Sequence, residues 1–184
     1  MRDTFESYLT CKDFIPLSFK RVINQGSVHS FHQYKFFPDA GKIQTRVSKN
    51  SKIIIKDCAS YLPGSYDMLS SAYFFRSYDF EHMKKGQKIF FNMIVDSNNE
   101  RLYFKYLGKE VSETDNSRKF MCHKICVWMT KGDFFSKEEN INIWFTADKN
   151  RLPLRVDTKI LAGSVHAVLL DVKNTRYLLT SEIK

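Results

Sequence analysis

Apolar and polar positions alternate with a period of two along much of this chain. Ile15, Leu17 and Phe19 alternate with Pro16, Ser18 and Lys20, the spacing of a strand with one buried face. Asn24-Gln25-Gly26-Ser27 reads as a turn, and strands are predicted over His29 to Phe37 and Lys42 to Val47. Pro38-Asp39-Ala40-Gly41 supplies the turn chemistry between those two. After the Ile53-Ile54-Ile55 run and a break at Pro63-Gly64, the period changes. Leu69, Ala72, Tyr73 and Arg76 fall at helical spacing behind Ser65 or Asp67 as a cap, which predicts one helix from about Ser65 to Tyr78.

Strands resume after Gly86. The pattern predicts them over Lys88 to Asp96 and Arg101 to Val111, around Ser97-Asn98-Asn99, then over Lys119 to Thr130, Ile141 to Thr146, Leu152 to Ile160 and Ser164 to Val172. Lys131-Gly132-Asp133, Ala147 to Asn150 and Ala162-Gly163 punctuate them. Short strands broken by regular turns predict a mainly antiparallel β sandwich or barrel with a single short helix.

At 184 residues the chain suits one domain, long enough to bury a core without staples. Its 16 Phe and 9 Tyr fit pleated, half-buried surfaces. The net charge of +9 could attract anions, but the basic residues are scattered, and pairs such as Lys84-Lys85 sit at turns. No motif that reads nucleic acid accompanies them, so nucleic acid is not an expected partner. No apolar run approaches the length of a membrane-spanning helix, and the start Met1-Arg2-Asp3-Thr4-Phe5-Glu6 lacks the apolar stretch of a signal peptide.

Cys11, Cys58, Cys122 and Cys126 do not have the spacing of metal ligands, and no metal or other cofactor is expected. On one strand, Cys122 and Cys126 would stand roughly 13 Å apart, beyond the ~7 Å limit of a disulfide. His123 beside Cys122 invites a nucleophile or metal reading. Neighbours on a strand face opposite ways, however, and no motif supplies a partner acid, so no catalytic residue is assigned. His29, His32, His82 and His166 are dispersed and read as solvated or locally satisfied, and Asp79, Glu81 and Asp96 form no recognisable acid/base pair. Asp67 and Asp148 read as a helix cap and a turn acceptor, and Arg76 as anchored to a carboxylate on the sheet. Tyr73, Phe74, Phe75, Tyr78 and Phe80 at and beyond the helix are core residues or the lining of an apolar cleft. As a ligand site they point to an amphipathic molecule held by Tyr73, Phe74 and Tyr78, with Arg76 or Lys84 at an anionic head.

Four segments carry a resemblance in order along nearly the whole chain. They are Arg2-Asp3-Thr4-Phe5-Glu6-Ser7-Tyr8 with Pro16-Leu17-Ser18-Phe19; Tyr66-Asp67-Met68-Leu69-Ser70-Ser71-Ala72-Tyr73 with Arg76; Tyr106-Leu107-Gly108-Lys109-Glu110; and Trp144 through Asp148 with Leu152-Pro153 and Gly163-Ser164-Val165. The chain resembles the exported bacterial family called domain of unknown function 3108, and its Bacteroidetes members in particular. The resemblance implies a large curved antiparallel sheet or partly open barrel with one helix packed on it, usually behind a signal peptide or lipoprotein signal, and no known activity.

Family members carry further N-terminal strands. The expectation is therefore an N-terminally truncated single domain over residues 1–184, prone to edge-strand dimerisation. The expected role is that of a periplasmic, non-enzymatic envelope protein binding a lipid, a glycan or a protein partner. An uncharacterised hydrolase and a purely structural interaction module are the alternatives.

Overall fold

A computed structural model of the chain describes residues 3–50, 52–95, 98–128, 140–160 and 163–183. The fold is mainly β with one α-helix, as the pattern predicts. The strands are β1 (Thr4–Leu9), β2 (Pro16–Gln25), β3 (Val28–Phe37), β4 (Lys42–Lys49), β5 (Lys52–Ser60) and β6 (Ser65–Tyr66). After α1 (Met68–Ser77) come β7 (Lys88–Val95), β8 (Asn98–Glu113), β9 (Lys119–Trp128), β10 (Asn140–Thr146), β11 (Pro153–Ile160), β12 (Gly163–Val168) and β13 (Glu182–Ile183). Among the described residues, hydrogen bonding orders them as a five-stranded sheet, β1-β2-β3-β4-β5, and a larger one, β12-β11-β10-β9-β8-β7-β6, with β13 on β9. The larger sheet is curled as a half-barrel. The strands pair antiparallel from β1 to β5, from β8 to β12 and between β13 and β9, and β6 makes a short parallel bridge with β7. No described helix is long and apolar enough to cross a membrane.

The chain clusters into two compact units, Met1–Phe75 with Phe91–Arg101, and Arg76–Phe90 with Leu102–Lys184. In the first, the meander follows the turn chemistry. Gly26 and Gly41 take φ of 59° and 61°, the left-handed backbone that glycine adopts without strain. Its core gathers Phe19, Tyr34, Phe36, Ile43 and Ile94, with Leu69 of α1 packed against them.

The simple alternation fails at Leu17, which is 48% exposed. Tyr8 pairs with Ser18 and Leu9 with Pro16, so Leu17 is the extra residue of a bulge, and a bulge turns the side-chain alternation over. Beyond it the buried positions are Phe19, Arg21 and Ile23. Arg21 Nη2 lies 3.1 Å from Nε2 of its cross-strand partner His32, so His32 is buried beside an arginine rather than solvated.

The helix starts at Met68 rather than Ser65, because Ser65 and Tyr66 pair with β7. Asp67 is the cap, its Oδ1 accepting from Leu69 N and Ser70 N at 2.8 and 3.0 Å and its Oδ2 from Ser7 Oγ at 2.8 Å. Burial pushes the Asp67 carboxyl above its ordinary range against the lowering effect of these donors. Phe75 packs edge-on against Phe91 of β7 at 5.1 Å, which lays the helix on the sheet within the first unit. Replacing Asp67 with Ala removes the cap and leaves buried donors without acceptors. The expected loss is about 2 kcal/mol of unfolding free energy, read from urea denaturation; a loss under about 0.5 kcal/mol would show that the helix start does not depend on this cap.

Candidate functional site

In the second unit, one side of the curled sheet is the core. His123, Ile125 and Val127 of β9 alternate onto that side and are buried. Phe80, in a 3-10 turn over Phe80–His82, stacks on Tyr106 and Phe145 at 5.8 and 5.9 Å and lies 5.1 Å from the His123 ring. His123 hydrogen-bonds with Tyr106 Oη through Nδ1 at 2.9 Å and meets Glu81 Oε1 through Nε2 at 3.4 Å. Lys109 Nζ holds the other Glu81 oxygen at 2.8 Å. Burial pulls the His123 pKa below its usual value, Glu81 opposing, and burial raises the Tyr106 hydroxyl. The arrangement is a neutral imidazole held between a phenol and a carboxylate beneath an aromatic roof. Residues distant in sequence thus give Glu81 the imidazole partner that sequence spacing did not reveal.

Cys122, on the opposite side of β9, lies in a second apolar cluster with Phe120, Trp144 and Leu154. Its thiol is pushed up to about 12, by burial first and then by Asp148 and Glu110. A thiol kept protonated is a poor nucleophile. Cys122 and Cys126 are both free.

The side of the sheet that carries Cys122 also carries an array of aromatic and charged residues. Lys124, Cys126 and Trp128 alternate along β9 and stand opposite Trp144, Asn142 and Asn140 of β10. Tyr103 of β8 stands opposite Trp128. The Tyr103 and Trp128 rings stack at 6.1 Å and 22°, and Phe90 of β7 lies 5.7 Å from Tyr103 on its other side. Lys88 Nζ sits 4.5 Å over the Tyr103 ring. Three rings therefore form a row across three adjacent strands, ending on Phe90, which is 56% exposed.

Further along β9 and β10, Trp144 lies between Lys124 and Arg155, at 4.6 and 5.3 Å from its ring centroid. The indole Nε1 donates to Glu110 Oε1 at 2.7 Å, and Lys124 Nζ donates to the same oxygen at 3.0 Å. Arg155 is turned onto Asp157, its Nη2 lying 2.7 Å from Oδ2. These cations and carboxylates neutralise one another across the face.

The residues expected to hold an amphipathic ligand divide between the units. Tyr73 and Phe74 belong to the first, where Tyr73 stacks on Phe14 at 5.9 Å and Phe74 on Tyr66 at 4.6 Å and against Phe91 at 5.8 Å. Arg76, Tyr78 and Lys84 belong to the second. Arg76 Nη2 donates to the Asn150 carbonyl at 3.0 Å. Tyr78 packs edge-on against Phe104 at 5.2 Å, and burial raises its hydroxyl pKa. Lys84 lies in an exposed turn closed by Gln87. Lys131-Gly132-Asp133 and Asp96 lie outside the described residues.

A family model described as "Protein of unknown function (DUF3108)" matches residues 1–170. The chain belongs to that family. The match takes in all four segments behind the sequence resemblance, and the ring row and the Trp144 surround fall wholly within the DUF3108 region. No curated protein and no solved structure matches the chain. The row of rings was missed in the sequence because Phe90, Tyr103 and Trp128 are neighbours only through strand register. The one local signal was the high aromatic content.

Proposed function

We propose that this DUF3108 member is an exported envelope protein that binds a glycan on the aromatic face of its second unit. The observation that carries the reading is the row Phe90, Tyr103 and Trp128. Adjacent rings on a sheet offer broad, rigid, amphipathic contact area at small entropic cost, suited to a molecule with apolar faces and polar edges. At the end of the row, Trp128 stands opposite Asn140, a polar side chain beside an aromatic face of the kind that orients a ligand with apolar faces and polar edges.

Stacked rings with nearby lysines also suit single-stranded nucleic acid. Here Lys124 is matched to Glu110 and Arg155 to Asp157, while Lys88 over Tyr103 and Lys105 opposite Cys126 stand on the same face, so titration with both ligand classes separates the two readings. The reading is tested by calorimetric titration with soluble peptidoglycan fragments, a neutral glucan and a fifteen-nucleotide oligo(dT). Binding to at least one glycan is expected. Phe90→Ala and Tyr103→Ala should each weaken it about tenfold, the equivalent of one aromatic contact. Binding of oligo(dT) alone, or glycan binding indifferent to both substitutions, would overturn it.

A further inference from the structure

Strands β11 and β12 bring a hydroxyl, an imidazole and a carboxylate into series. Ser164 Oγ lies 3.0 Å from His166 Nε2, and His166 Nδ1 lies 2.9 Å from Asp157 Oδ1. Strand geometry accounts for both contacts. Ser164 and His166 are two residues apart and share a face, and Asp157 is the cross-strand partner of His166. The bond from Leu169 N to Leu154 O, 2.8 Å, continues the same register. Counting from it, Asp157 and His166 form a pair without mutual backbone hydrogen bonds, the kind whose side chains stand closest. Arg155 Nε donates to both Asp157 oxygens at 2.9 Å. Burial raises the Asp157 carboxyl, but the hydrogen bonds from Arg155 and His166 outweigh it and hold the group below the usual carboxylate range. Asp157 thus stays ionised and fixed.

This is the order of groups in which a carboxylate orients an imidazole and the imidazole takes the proton of a hydroxyl. Access is open, since Ser164 is exposed and the His166 side chain is 55% exposed. β12 ends the sheet among the described residues. By the alternation just counted, the backbone N–H groups of Ser164 and His166 point away from β11 toward that free edge, where they can donate to a carbonyl oxygen.

We propose that Ser164, His166 and Asp157 form a hydrolytic site for small acyl esters, an activity beyond glycan binding and independent of it. Ser164 Oγ attacks the ester carbonyl carbon while its proton passes to His166 Nε2, and the resulting imidazolium donates through Nδ1 to Asp157. The C–O bond to the alcohol breaks, and the alcohol leaves with the proton from Nε2. Water, deprotonated by His166, then attacks the acyl–Ser164 ester, releasing the carboxylic acid and returning the proton to Ser164. The net reaction consumes one ester and one water and yields one acid and one alcohol.

The test is labelling of the full chain with a fluorophosphonate probe at neutral pH, located by peptide mass mapping and paired with p-nitrophenyl acetate turnover. One adduct at Ser164 is expected, absent in Ser164→Ala and formed about 100-fold more slowly in His166→Gln, with far-UV circular dichroism unchanged in both. Absence of an adduct at Ser164 in the unaltered chain, or labelling at equal rate in His166→Gln, would overturn the proposal. The first of these readouts does not depend on any variant folding.

Discussion

Replacing Phe80 with Ala is expected to destabilise the protein by about 3–5 kcal/mol, the range for removing a large buried aromatic side chain. Phe80 is only 1% exposed. Its ring meets Tyr106, His123 and Phe145 face to face or tilted, and Phe104 edge-on at 6.4 Å. It enters this position on a single 3-10 turn whose start is held by Asp79, which accepts from Glu81 N at 3.3 Å and meets His82 Nδ1 at 2.6 Å. So short an element cannot shift far enough to refill the cavity that Ala would leave, and the Tyr106–His123–Glu81 network would lose its cover. Urea denaturation followed by tryptophan fluorescence measures the cost. Phe80→Leu should retain more than half of the lost stability, and a cost for Phe80→Ala below about 1 kcal/mol would show that the turn is not part of the core.

Asp148→Ala is expected to cost about 2–3 kcal/mol through a different mechanism, the stranding of several donors at once. Asp148 Oδ1 accepts from Asn150 N at 2.9 Å, Arg151 N at 3.3 Å and Thr146 Oγ1 at 3.1 Å, while Oδ2 accepts from Ser181 Oγ at 2.6 Å. One carboxylate therefore ties the β10–β11 turn to the segment before β13. Arg151, at φ 46°, is in the left-handed region that a non-glycine residue occupies only when its surroundings hold it there. Asn150 continues the link through Nδ2 to the Tyr177 carbonyl at 2.9 Å and Oδ1 from Tyr177 N at 3.0 Å. Asp148→Asn keeps acceptor oxygen at one position and should lose about half as much. Hydrogen exchange would detect the uncoupling as faster exchange at Met121, whose N–H donates to the Ser181 carbonyl at 2.8 Å. Unchanged stability and exchange in Asp148→Ala would show that the turn stands without its carboxylate.

The elements legible in the sequence were those whose cause is local. Pro38-Asp39-Ala40-Gly41 closes its hairpin with a 3-10 turn and a left-handed glycine. Asp67 caps the helix, and Asp148 bonds the backbone two residues on, because a short carboxylate reaches its own neighbours wherever the rest of the chain goes. Less legible was what depends on an added or deleted residue. The bulge at Leu17 exposes a side chain that strict alternation buries. On β8, Tyr106 pairs with Ile125 and Gly108 with Lys124, leaving Leu107 as an extra residue. This second bulge returns Gly108 and Glu110 to the side of the sheet that Tyr103 occupies, and so brings Glu110 to Trp144.

The functional face was hidden for the same reason. A strand's own sequence says which residues share a side, as with Lys124, Cys126 and Trp128, but not which residues of the next strand stand beside them. His166 looked isolated because Asp157 reaches it only through register, although Ser164 two positions earlier was a local sign. Glu81 reaches His123 by folding of a turn onto a sheet. The helix-proximal aromatics had visible periodicity, and the structure gives Phe74, Phe75 and Tyr78 neighbours in the packing of their own units.

The most direct test of glycan binding on the aromatic face is a 15N–1H correlation titration of the protein with soluble peptidoglycan fragments. The account predicts saturable shifts at the indole N–H of Trp128, the side-chain amide of Asn140 and the backbone amides around Phe90 and Tyr103, with the amides of β2 and β3 unmoved. Saturable shifts centred instead on Tyr73, Phe74 or the β1–β5 sheet, with the Trp128 indole unchanged, would contradict it.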